Sequence, residues 1–131
     1  MAGLRARAFA SIVITIACAG CSRTDRQLEQ HSEAFTSLSA STAAITDAWL
    51  RGLVSGTYAL TALDQTFLMV EQERTSLTAS ASMVIDDRGA AMSDAAEQLS
   101  RDVAELIAAV RAADAAAARR HVESLPFRQA S

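Results

Sequence analysis

Mostly apolar residues recur every seventh position along much of the chain: Leu28, Phe35, Thr42, Trp49, Gly56, Leu63, Val70, Leu77 and Val84. Three or four residues after all but the last of them stand Leu38, Ile45, Leu53, Leu60, Phe67 and Ala81, with His31 and Arg74 as the polar members of that second row. Steps of three and four that sum to seven keep side chains on one stripe of an α-helix. Such stripes bury themselves by packing side by side at coiled-coil-like angles. A second series in a new phase follows: Met92, Ala96, Leu99, Val103, Leu106, Val110 and Ala113. No segment shows the period-two alternation of a strand.

The breaks between stripes set the architecture. "IDDRGAAMSD", residues 85 to 94, separates the two phases, with Asp86 or Asp87 and Ser93 as N-cap candidates and Gly89 as a C-cap or turn residue. Asp114 can cap a short last helix, and Leu125-Pro126 ends it. "RGLVSGTY", residues 51 to 58, admits two readings. As a turn, it gives helices over 28–52, 57–85, 91–113 and 115–124, an all-α up-down bundle of three or four helices, with a tail at 126–131. As part of a continuous helix, it gives one rod over 28–84, roughly 85 Å long, with a shorter helix packed on it and half its stripe left for a second chain. The heptad phase continues through Gly56, which suits the rod. Matched helix lengths and two glycines, each costing about 1 kcal/mol inside a helix, favour the turn.

Composition supports the helical reading. Half of the 131 residues are apolar and only 5% are aromatic, and neither lysine nor asparagine occurs. The core must therefore be Leu, Val, Ile and close-packed Ala, and Ala, Leu, Arg, Gln and Glu all favour helix. Pro126 is the only proline, so none interrupts residues 1 to 125. An Arg-rich, Lys-free and Asn-free chain also suits a GC-rich bacterial genome.

The first twenty residues differ from the rest. Arg5 and Arg7 precede the uncharged run "AFASIVITIA" at 8 to 17, and small residues follow, which is the order of a secretory signal peptide. The run is too short to span a bilayer core of roughly 30 Å. Ala19-Gly20-Cys21 after such a run resembles the lipobox of bacterial lipoproteins, in which a peptidase cuts before a lipid-modified cysteine. Cys18 stands where that family usually has an aliphatic residue, and after Thr15-Ile16-Ala17 it is itself an alternative, poorer match. The resemblance covers residues 1 to 22. It implies a signal peptide over 1–20, acylation (palmitate and related chains) at Cys21, and a membrane-anchored location in the bacterial cell envelope. Ser22 after the cysteine resembles lipoproteins sent to the outer membrane, facing the periplasm. The polar, aperiodic segment 21–27 then reads as a tether of about 20 Å when extended.

Cys18 and Cys21 also form a literal C-x-x-C, the spacing of redox dithiols. Those sit at helix N-termini of α/β domains, and no βαβ pattern follows here. Subtracting Arg5 and Arg7 from the 12 basic residues leaves 10 against 15 acidic ones, a net charge of −5 for residues 21 to 131. A chain so charged is a poor partner for nucleic acid or for anionic lipid surfaces.

Catalytic constellations are missing. His31 and His121 lack the Glu three residues earlier that di-iron bundles use. Ser22 after Cys21 rules out haem attachment, and the chain has no phosphate loop, H-E-x-x-H or serine-nucleophile elbow. Glu71 and Glu73 are two apart and face different sides of a helix, so they cannot act as a carboxylate pair. His31 reads as a partly exposed residue at the end of a stripe. Arg74 either snorkels along its stem or pairs with an acid on another helix. Trp49, Tyr58 and Phe67 either line a small-molecule cleft between helices or are the large members of an Ala-rich core. The sequence thus leads to a non-enzymatic, lipid-anchored helical bundle without metal or cofactor. It would serve as a structural or protein-interaction module for an envelope partner or a second copy, with a ligand-binding or sensory bundle as the alternative.

Overall fold

The stripes fold back on one another at two turns of the same design. In the computed structural model, the backbone of residues 2–80 and 86–128 and the side chains of residues 23–80 and 86–128 are described. Helix α1 runs over Ala2–Leu50 and α2 over Gly56–Ala79. Between them Gly52 takes φ +71°, Leu53 N–H donates to Ala48 O at 2.8 Å, and Gly52 N–H donates to Trp49 O at 3.0 Å. These two bonds form a Schellman motif, whose left-handed residue glycine adopts without steric cost. Ser55 then caps α2, its hydroxyl accepting from Tyr58 N–H at 3.2 Å. The two glycines of "RGLVSGTY" therefore have different roles: Gly52 reverses the chain, while Gly56 opens α2 close to Trp49. The continuous rod over 28–84 does not form.

Helix α3 spans Asp87–Arg111 and α4 spans Ala115–Glu123. Their junction repeats the Schellman geometry: Asp114 N–H donates to Ala109 O at 2.8 Å and Ala113 N–H to Val110 O at 3.0 Å. Here the left-handed residue is Ala113, with φ +54°. Ala113, expected on the second stripe, is instead an exposed turn residue. Asp114 caps α4, its carboxylate accepting from Ala117 N–H at 3.0 Å. Asp86 caps α3, which starts four residues before the expected position 91, and Gly89 lies buried in its first turn rather than in the connection. Ala81, Val84 and the rest of 81–85 lie outside the described residues, as do 129–131.

All described secondary structure is helical, and the helices pack as an all-α up-down bundle. Antiparallel neighbours are evident from His31 against Glu73, Glu71 against Ser100, and Asp102 against His121. The core joins Leu28 and Phe35 of α1, Leu63, Val70 and Leu77 of α2, and Leu99, Val103 and Leu106 of α3, all 2% exposed or less. On α1 the buried positions are 28, 31, 35, 39, 42 and 46, eighteen residues in five turns. That is the 3.6-residue period of a straight helix, so burial drifts off the heptad onto Ser39 and Thr46. Leu53, expected on the stripe, lies in the turn and is 67% exposed. The segment 21–27, expected as an irregular tether, continues α1 as helix.

The tail returns to α1. Leu125 is 5% exposed, Pro126 O accepts from the Ser39 hydroxyl at 2.7 Å, and Phe127 stacks on Phe35 with centroids 5.1 Å apart. Among the described residues, no helix is long and apolar enough to cross a membrane.

Candidate functional site

Among the described residues, a polar link joins each pair of sequential helices. Between α1 and α2, His31 Nδ1 lies 2.5 Å from Glu73 Oε1. His31 is 9% exposed, so it is a buried, partnered residue rather than the partly exposed one expected. Between α2 and α3, the Ser100 hydroxyl donates to Glu71 Oε1 at 2.5 Å, and Arg74 on the same helix as Glu71 donates to that oxygen at 2.7 Å. These two bonds, Ser100's first, hold the Glu71 carboxyl below the ordinary carboxylate range, against a smaller opposing effect of burial. Between α3 and α4, His121 Nδ1 stands 3.9 Å from Asp102 Oδ1.

Glu71 and Glu73 thus point to opposite neighbours, as their spacing requires. Arg74 makes its ion pair within its own helix, so the cross-helix contact belongs to Glu71 and Ser100. The two histidines serve separate interfaces. A histidine oriented by a carboxylate is half of a nucleophilic triad, and the hydroxyl closest in sequence to His121 is spent on its backbone. Ser124 donates to His121 O at 3.0 Å rather than to the ring. Among the described residues, no group of three or more His, Cys, Asp or Glu side chains could hold a metal ion.

Asp102 is the polar residue that sequence reasoning missed. It is 4% exposed; Oδ1 accepts from Gln98 Nε2 at 3.1 Å, and Oδ2 is buried without a partner. It lies beside the stripe of Leu99, Val103 and Leu106, one residue off the spacing that marks the core. The return of α4 over α3 brings His121 to within 3.9 Å of it.

Open clefts on the described surface include three along α1. The first, about 720 Å³, runs along α1 beside the tail, with Glu29, Glu33, Thr36, Phe127 and Arg128 in its lining. The second, about 440 Å³, lies between α1 and the start of α3 near Asp25, Arg88 and Met92. The third, about 330 Å³, lies between the end of α1 and α4, with Asp47, Arg51 and Arg119 among its walls. None of the three is lined by Trp49, Tyr58 or Phe67. Trp49 and Phe67 pack partly buried against the core, whereas Tyr58 is 59% exposed. The side chains of Cys18 and Cys21 lie outside the described residues. Compared with family models, curated proteins and solved structures, the chain matches none.

Proposed function

We propose that the chain is a lipid-anchored protein of the bacterial cell envelope, acylated at Cys21, whose helical bundle serves as a structural or protein-interaction module. The observation that carries the reading is Ala19-Gly20-Cys21 placed directly after a basic start and a short apolar run. The bundle is compatible with it. Its interhelical polar groups, His31 with Glu73, Ser100 with Glu71 and Ser39 with Pro126 O, are engaged in separate bonds rather than converging on one cleft. Ser22 points to the outer membrane, and the net acidity of residues 21 to 131 leaves the lipid as the membrane contact. The ligand-binding alternative rests on Trp49, Tyr58 and Phe67, and these share no cleft among those described.

Metabolic labelling with a fatty acid tests the anchor. Label is expected on the wild type and on Cys18→Ala and is expected to vanish in Cys21→Ala. Label kept by Cys21→Ala and lost from Cys18→Ala would move the anchor to Cys18, and no label on any form would remove the reading altogether.

A further inference from the structure

We propose that the bundle stands end-on upon the lipid surface as a short rigid post, with the start of α3 at its foot and the turn at residues 51–55 at its far end. This rests on the reading that Cys21 carries the lipid, and it adds the orientation that the anchor imposes. The segment that would give a tethered domain its freedom, residues 21–27, is helical and continuous with the core-forming part of α1. The bundle meets α1 almost at once: Arg88 at the start of α3 lies 3.2 Å from Asp25 in an exposed ion pair, and burial begins at Leu28, already 2% exposed. Four residues of helix separate Cys21 from Asp25, about 6 Å along the axis. An extended tether over 21–27 would reach about 20 Å and let any face meet the bilayer. A helical connection of one turn does not.

The far end follows from the same rise. Leu50 is 29 residues beyond Cys21, which puts the 51–55 turn about 44 Å from the anchored residue. At the foot, exposed Arg23, Arg26 and Arg88 stand beside exposed Asp25, Asp86 and Asp87. Mixed charge of this kind suits a hydrated headgroup layer without strong attraction to either sign. The competing posture lays the bundle on α2, where Tyr58, Leu68 and Met69 are exposed by 59%, 67% and 58% and share one flank of the helix. Exposed Gln65 and Gln72 interrupt that flank and exposed Asp64 borders it, so laying it down would press two amides and a carboxylate onto the headgroups for little apolar contact.

Every buried residue among those described lies between Leu28 and Leu125, so residues 21–131 retain the whole described core. In this form Cys21 is the only thiol, and it can be coupled to a maleimide-bearing lipid in phosphatidylcholine vesicles that also hold a dansyl-headgroup lipid. Energy transfer from Trp49, the only tryptophan, then reports the height of a residue about 42 Å from the anchor. The comparison is Trp49→Phe combined with Arg26→Trp, which moves the donor to about 8 Å from the anchor. Strong quenching of the foot donor with little quenching of Trp49 is the expected result. Equal quenching of both, from a bundle lying flat or tumbling, overturns the proposal. Neutron reflectometry on the unsubstituted 21–131 form, coupled to a supported bilayer, keeps the test independent of those substitutions. An upright post gives a layer about 45 Å thick, whereas a bundle on its side gives one of two helix diameters, about 20–25 Å. Because the coupling is synthetic, a flat layer refutes the posture alone, and loss of fatty-acid label from the native chain refutes the anchor alone.

Discussion

Two adjacent alanines at the end of α3 should respond with opposite sign to the same substitution. Ala112 is the C-cap, with φ −84° and ψ −2°, and Ala113 follows it in the left-handed region at φ +54°. Both are exposed, so neither methyl contributes burial. An L-residue in the left-handed region costs about 1–2 kcal/mol, which glycine escapes. Glycine also makes the unfolded chain more flexible, at a cost of about 0.5–1 kcal/mol relative to alanine. Ala113→Gly should therefore stabilise the bundle by about 0.5–1 kcal/mol, and Ala112→Gly should destabilise it by a similar amount, since only the entropy term operates there. Urea unfolding of residues 21–131, followed by circular dichroism, reads both as shifts of midpoint at unchanged slope. In a domain of this size, such a gain raises the melting temperature by about 2–8 °C. Gly52, at φ +71° with nothing within 4 Å of an added Cβ, supplies the reverse case. Gly52→Ala should lose about 1 kcal/mol through the backbone alone. If Ala113→Gly destabilised the protein as Ala112→Gly does, residue 113 would not be left-handed in solution, and the sharp return of α4 over α3 would be wrong.

The docking of the tail is testable by a double-mutant cycle on Phe35→Leu and Phe127→Leu. The stacked rings should show a coupling of about 0.5–1.5 kcal/mol beyond the separate losses, and a coupling near zero would mean that residues 125–128 do not rest on α1. Glu71 makes a pH prediction: its carboxyl is held low by Ser100 and Arg74, so its contribution is present above the unfolded carboxylate range and is lost as the pH falls through the lower folded value. Glu71→Gln should accordingly cost stability at pH 7 and nothing once both states are protonated. The side chain is 40% exposed, so the neutral-pH difference is discounted for screening to about a few tenths of a kcal/mol. An equal difference at both pH values would assign the effect to packing instead of charge.

Helices, apolar seams and most of the places where the chain turns are legible in the order of residues alone. Spacing is local information, and at Gly52, Ser55 and Asp114 the residue type already carries the capping chemistry that stops or starts a helix. The same order singles out Cys21 as a candidate for processing. Misjudged positions depend on which helix lies over which. Ser39 and Thr46 are polar and one residue off the heptad, yet they are buried because a straight α1 presents them to its neighbours. His31 reads as a partly exposed end of a stripe and is buried against α2, and Asp102, off the stripe, is buried beside α4. Ala113 fits the apolar stripe in one dimension but lies in the turn, because α3 ends at Arg111. Burial of a polar group is a property of the surface laid on top of it, and that surface exists only once the helices have docked. Residues 21–27 are helical although their composition is that of a loose tether, and α3 meets α1 within their span through the exposed Asp25–Arg88 pair.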